Sequence, residues 1–168
     1  VKISPRLDSL IEPIYGDDEI ILDFPEELLK NQTYVITINR NLKDERGVAL
    51  GQSIQVAYST GAIIDEGQIS GRIHGEESYA AHLWKLEKGF EDSIFFKEPL
   101  YVSEADDEGN FNFKYLAPGE YIIMGIERSA AGAGLVPERM AYRVTSKKTY
   151  NLGEKQSLNG ISMQRSEK

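Results

Sequence analysis

Two histidines are the side chains best suited to acid–base chemistry or to binding a transition metal. His74 and His82 are the only histidines, and the chain has no cysteine, which excludes disulfides, thiolate metal sites and cysteine nucleophiles. On adjacent strands the two histidines could share a metal, but a zinc site needs a third ligand. No H-x-x-E-H or similar spacing supplies one. We therefore predict no metal site and interpret both histidines as members of strands.

Other residues that could carry chemistry lack the context that the chemistry needs. No G-x-S-x-G motif occurs, and Ser129 lies in a predicted loop without a nucleophile elbow. Asp106–Glu108 and Asn110 offer oxygen ligands for calcium, but Gly109 comes too early for an EF-hand, so a solvated hairpin turn is favoured. Gly132–Gly134 lacks the Lys-Ser/Thr and the helix of a phosphate loop and is interpreted as a flexible loop. The sequence predicts no catalytic residue, no cofactor and no enzyme.

An aromatic group between residues 84 and 101 is the strongest binding candidate. An exposed platform of rings would suit a sugar or a peptide, whereas Trp84, in an alternating strand, is predicted to face the core. Phe95 and Phe96, as neighbours in one predicted strand, must point to opposite faces. The candidate binding residues are Phe90, Phe95, Phe96 and Tyr101.

Short alternating or apolar runs, broken by turn residues about every ten positions, predict an all-β fold. We expect two small antiparallel β-sandwich modules in tandem and no long amphipathic helix. The stretch from Glu87 to Pro99 is interpreted as an insertion. Predicted strands cover residues 19–24, 33–39, 53–59, 68–74, 79–86, 100–103, 110–114, 121–127, 140–144, 150–152 and 160–163.

The boundary between the modules is predicted at the connector Ile63–Gly67, giving residues 1–64 and 65–168. The net charge is −8, and with six basic and ten acidic residues before the boundary and thirteen and seventeen after it, each module carries −4. An acidic surface repels phosphate backbones and anionic lipid heads. No apolar run approaches the roughly 20 residues of a membrane helix. The sequence therefore argues against nucleic acid as a partner and against direct membrane insertion.

Residues 36–61, ITINRNLKDERGVALGQSIQVAYSTG, resemble the end of a bacterial Ig-like domain of S-layer and other cell-envelope proteins. That family ends with a Y-T-V-T strand, a K-D-x-x-G turn, a final strand and F-S-T-G. It often has Asn where this chain has Val48, and it carries several strands before the segment that corresponds to Ile3-Ser4-Pro5. The resemblance thus implies that the first module is incomplete at its N-terminus. The matching residues are Tyr34–Thr37, Lys43-Asp44, Gly47 and Tyr58–Gly61.

Residues 106–127, DDEGNFNFKYLAPGEYIIMGIE, resemble the transthyretin-like sandwich found as the regulatory-type domain of carboxypeptidases. The shared pattern is an acidic turn with Gly, F-x-F, L-x-P-G-x-Y and an apolar strand. The first strand, Ile69–Ile73, matches the family's I-x-G-x-V. A purine-breakdown hydrolase with this fold ends in Y-R-G-S, which this chain lacks. The resemblance therefore implies a fold but not an activity.

The order of the two resemblances is similar to that in surface lipoproteins of Bacteroidetes-type bacteria. It implies non-catalytic structural, spacer or adhesion modules of an exported bacterial cell-envelope protein, with a signal upstream of this segment and other domains of the same protein as partners. Two alternatives stay open. One is a glycan- or peptide-binding module that uses exposed aromatics, with protein or carbohydrate as its partner, and the other is an accessory domain of a larger envelope enzyme.

Overall fold

The computed structural model describes residues 1–24, 27–39, 41–50, 53–87, 91–145, 149–151, 153–158 and 160–163. The chain is all-β and sandwich-like, which confirms the predicted fold class. It divides into two compact units, Val1–Ile64 and Asp65–Lys168. In the described ranges, no helical segment has the length and apolarity required to cross a membrane.

The described residues of the first unit form a three-stranded antiparallel sheet and a short hairpin. The sheet has the order β1-β4-β5, with β1 at Lys2–Ser4, β4 at Thr33–Ile38 and β5 at Ile54–Ser59. The hairpin pairs β2 (Ile14–Tyr15) with β3 (Ile20–Ile21). Strand β4 consists entirely of β-branched and aromatic residues, and in β5 such residues alternate with small or polar ones. Both patterns suit a pleated surface.

In its described part, the second unit forms two sheets. In the first sheet β6 pairs antiparallel with β9 on one side and parallel with β13 and then β14 on the other. The second sheet has the order β11-β10-β7-β8, and β12 also pairs with β10. Strands β13 and β14 are the parallel exceptions in a unit whose other described pairings are antiparallel. The strands are β6 Gly67–His74, β7 Tyr79–Lys85, β8 Tyr101–Glu104, β9 Asn110–Leu116, β10 Gly119–Glu127, β11 Tyr142–Val144, β12 Thr149–Asn151, β13 Lys155–Ser157 and β14 Ile161–Ser162.

The sheet built around β10 is buried on both of its faces. Its inner face packs on the other sheet, with Leu83 and Tyr121 meeting Phe113 and Leu116 in the core between them. Its outer face forms a second core around Trp84. Two short 3-10 helices, Asp92–Phe96 and Arg128–Ala130, contribute buried residues to this second core. Burial on both faces explains why β7 and β10 read as nearly continuous apolar runs rather than alternating ones.

Two turns with the same D-x-x-G sequence fold in the same way in the two units. Asp44 accepts backbone hydrogen bonds at Oδ1 from residues two and four positions on, at 2.9 and 2.8 Å. Asp106 accepts the corresponding pair at 2.9 and 2.8 Å. Gly47 and Gly109, third after the aspartate, have φ of +80° and +86°, a conformation in which glycine has no Cβ penalty. These turns are thus fixed by local sequence.

The second of these turns does not close a hairpin. The segment Asp106–Asn110 connects β8 to β9, and these strands belong to different sheets. The two strands are bridged through one side chain, since the Ser103 hydroxyl donates to Asn112 O at 3.2 Å and accepts from Asn112 N at 3.1 Å. The predicted hairpin is therefore wrong, and the turn is a corner between the two layers.

Tyr121 joins the start of β10 to the turn before it. Its ring is fully buried, and its hydroxyl donates to Ala117 O at 2.7 Å, four residues upstream, in the manner of a tyrosine corner. Burial, with Tyr101 and Asp65 nearby, raises the pKa of this hydroxyl far above its ordinary value. The group therefore stays a neutral hydrogen-bond donor.

Candidate functional site

The predicted aromatic group is divided between two cores. Phe95 is buried on the outer face of the β10 sheet, where its ring meets Trp84 edge-on at 5.3 Å. Tyr101 is buried on the inner face, with its ring 6.5 Å from that of Tyr121. Phe96 is 59% exposed, and Phe90 lies outside the described residues. Among the described members, Phe96 is thus the one whose ring a ligand could reach.

The segment that contains Phe95 and Phe96 is a 3-10 helix and not the predicted strand. A 3-10 helix has three residues per turn, so neighbouring side chains point about 120° apart. This geometry still places Phe95 inward and Phe96 outward. The predicted core position of Trp84 is confirmed, because Trp84 is 1% exposed.

The two histidines occupy different sheets, so the arrangement on adjacent strands does not occur. His82, on β7, is fully buried, whereas His74 is exposed at the end of β6. Nε2 of His82 accepts a hydrogen bond from the Gly132 backbone N–H at 2.9 Å, so that nitrogen carries no proton. In the described part of the chain, no group of three or more potential metal ligands comes together. The structure shows His82 holding a loop to the sheet.

The small-residue loop at residues 129–134, within which Gly132–Gly134 was predicted to be flexible, is bonded at several points. Besides the bond from Gly132 to His82, Leu135 N donates to Phe95 O at 2.8 Å. A Cβ on Gly134 would collide with the carbonyl oxygen of Phe96. The loop therefore packs closely against the 3-10 helix, which explains its small residues.

One polar pocket of about 210 Å³ lies at the end of the sandwich in the second unit. Its walls come from the loop after β6 and from the Asp106–Gly109 turn, and they include Arg72, Glu77 and Tyr79. The Arg72 Nε donates to Glu108 O at 2.7 Å, which ties β6 to the turn. Sequence reasoning missed this pocket, although both of its loops are rich in carboxylates.

In the pocket, the pKa of the Asp106 carboxyl is lowered mainly by hydrogen bonds within its own turn. Burial acts to raise the pKa of the Asp106 carboxyl, but hydrogen bonds from the Asn110 side chain and from the Asn110 and Glu108 backbones, helped by the Arg72 charge, outweigh it. The net pKa lies below the ordinary value. Both carboxylate oxygens accept bonds within the turn, Oδ2 from Asn110 Nδ2 at 3.0 Å. Asp106 therefore serves the turn rather than a ligand.

Comparison with known proteins adds no family. No protein-family model matches the chain, and no curated protein matches it. The resemblances to the Ig-like and transthyretin-like families rest on the motif residues alone.

Proposed function

We propose that the chain provides non-catalytic spacer modules of an exported bacterial cell-envelope protein, the first of the bacterial Ig-like type and the second of the transthyretin-like type. The observation that carries the spacer role is the parallel pairing of the first and last described strands of the second unit. Gln68 lies opposite Lys155, and His74 lies opposite Ser162. The cellular setting rests on the family resemblances.

Parallel pairing means that the chain enters this unit at one end of the sandwich and reaches the other end in its last described strand. Strand β6 has eight residues and spans roughly 25 Å at about 3.3 Å per residue. A module with antiparallel first and last strands would return the chain to the end at which it entered. This topology therefore extends the chain by about one strand length, as a spacer requires.

The same topology determines how the unit responds to tension. A pull along β6 and β14 acts parallel to the strands, so the hydrogen bonds that join β6 to β13 and β14 resist together. A pull across an antiparallel pair at its open end breaks one bond at a time. Burial of the β10 sheet on both faces adds resistance, because uncovering it would expose large side chains such as Tyr121 on the inner face and Trp84 on the outer face.

Force spectroscopy tests the proposal on the full chain, with handles attached through engineered cysteines. Glu66→Cys with Ser162→Cys pulls along the strands, and both positions are exposed. The matched control, Glu66→Cys with Lys114→Cys, pulls β6 and β9 apart from one end. We expect a rupture force at least twice as large in the first geometry. Equal forces would contradict the spacer role.

The glycan- or peptide-binding alternative retains one specific observation, the 59% exposure of Phe96. It would be supported if a glycan array or peptide library yielded a ligand whose binding Phe96→Ala abolishes. Phe96→Ala is a suitable probe because its ring makes little contact with the core.

A further inference from the structure

Strand β5 is an edge strand without the features that usually prevent edge-to-edge pairing. In the described part of the chain it pairs with β4 alone. Ile54, Val56 and Tyr58 share one face and are 42%, 50% and 53% exposed. Edge strands are commonly protected by charged residues, proline or a bulge. Residues 54–59, IQVAYS, contain no charge and no proline, and the pairing with β4 has no bulge.

The alternation of hydrogen bonds along the β4–β5 pair shows which backbone groups of β5 face outward. Thr60 N–H donates to Gln32 O at 3.1 Å, at the end of the β4–β5 ladder. Bonded and non-bonded pairs alternate in an antiparallel ladder, so the even-numbered residues of β5 bond to β4. The N–H and C=O groups of Gln55 and Ala57 consequently point away from β4, toward the open edge.

The outward side of β5 is complementary to itself. When two copies of β5 run antiparallel about Val56, Gln55 pairs with Ala57 of the partner subunit through the outward backbone groups. Ile54 then lies opposite Tyr58 of the partner subunit, and Val56 lies opposite its own copy. These are the closely spaced non-hydrogen-bonded positions, where apolar side chains on one face make contact.

We propose that β5 is a self-association surface, and that its occupant is β5 of a second copy of this chain. Pairing would join two three-stranded sheets into one six-stranded sheet with a continuous apolar face. The chain carries a net charge of −8, but the paired segments are uncharged, so like charges do not meet within the strand pair. One strand per subunit buries less than the roughly 800 Å² per partner of a standard interface. The association is therefore weak and depends on protein concentration.

Disulfide trapping tests this register, since the natural chain has no cysteine. The Cα atoms of a non-hydrogen-bonded pair are about 4.5 Å apart, within the range that a disulfide spans. Val56→Cys lies on the two-fold axis and should form a covalent dimer in a glutathione redox buffer. Val48→Cys, at a position that is 63% exposed and outside β5, is the matched control. We expect at least tenfold faster dimer formation for Val56→Cys.

A second substitution separates specific pairing from random collision. Ala57→Pro removes an N–H that points to the open edge and leaves the bonds to β4 in place. Added to Val56→Cys, it should reduce trapping to the rate of the Val48→Cys control. Val56→Lys, which places like charges on the axis, should keep the protein monomeric in sedimentation equilibrium at concentrations where the natural chain dimerises. Equal trapping at positions 56 and 48, or a natural chain that stays monomeric at millimolar concentration, would overturn the proposal.

Discussion

Replacing Gly109 by alanine should destabilise the second unit much more than the same replacement at Gly132. Both glycines have a left-handed backbone, with φ of +86° and +91°. Their surroundings differ. A Cβ on Gly109 would collide with the carbonyl oxygen of Ile73, whereas the nearest atom to a Cβ on Gly132 is a methyl of Val102 at 4.0 Å. The pair therefore separates the cost of the backbone conformation from the cost of the collision.

The expected magnitudes follow from these contacts. A left-handed conformation costs an alanine about 1–2 kcal/mol, and this cost applies at both positions. At Gly109 the obstacle is the backbone of β6, so the turn must move away. That movement breaks the 2.8 Å bond from Ile73 N to Gly109 O, and a buried group that loses its partner costs about 1–3 kcal/mol. We expect a loss of about 2–5 kcal/mol for Gly109→Ala and about 1–2 kcal/mol for Gly132→Ala.

Urea unfolding followed by tryptophan fluorescence measures this difference. Trp84 is the only tryptophan of the chain and is 1% exposed within the second unit, so its emission reports the unfolding of that unit. With an m-value of about 1.5 kcal/mol/M, the midpoint should fall by about 2 M for Gly109→Ala and about 1 M for Gly132→Ala. Equal midpoints for the two variants would refute the argument that the Ile73 carbonyl obstructs the turn.

Three further predictions concern the second core, the tyrosine corner and the acidic turn. Phe95→Ala should lower the free energy of unfolding by about 3–4 kcal/mol, because it leaves a cavity beside Trp84. Phe96→Ala should change it by less than about 0.5 kcal/mol. Similar losses for the two variants in chemical denaturation would contradict the placement of the two rings. Tyr121→Phe should cost about 1–2 kcal/mol because Ala117 O loses its donor, seen as a lower melting temperature with an unchanged circular dichroism spectrum. Because the folded-state pKa of Asp106 lies below the ordinary value of 3.8, its stabilising contribution is present above pH 3.8 and is lost as the pH falls through the folded pKa. The Asp106→Asn variant should therefore be less stable than the natural chain above pH 3.8, and this difference in the free energy of unfolding should shrink as the pH falls below 3.8. A difference that does not change with pH would contradict this.

Much of the local structure could be predicted from the residues because its causes are local. The D-x-x-G turns form because an aspartate side chain bonds to amides within four residues and glycine permits a positive φ. Strands such as β4 and β5 lie within one residue of their predicted bounds, since alternation along a strand is a property of the strand itself. The predicted strand at residues 19–24 is reduced to Ile20–Ile21.

The candidate site was less predictable, because exposure depends on contacts between distant segments. Phe95 and Phe96 have the same side chain, and only the packing of the Asp92–Phe96 helix on Trp84 decides which ring is buried. The bond between His82 and Gly132 spans fifty residues. Nothing near either residue in the sequence indicates it.

The sequence by itself determined the all-β class and the turn chemistry, because each depends on the period of side chains or on conformational limits of single residues. The tertiary structure decided which strands pair. The turn at Asp106 could have closed a hairpin, yet β9 leaves β8 to pair with β6 in the other layer. Strand β6 also takes the distant β13 and β14 in parallel, because sealing two apolar faces on each other requires partners that neighbouring residues cannot supply.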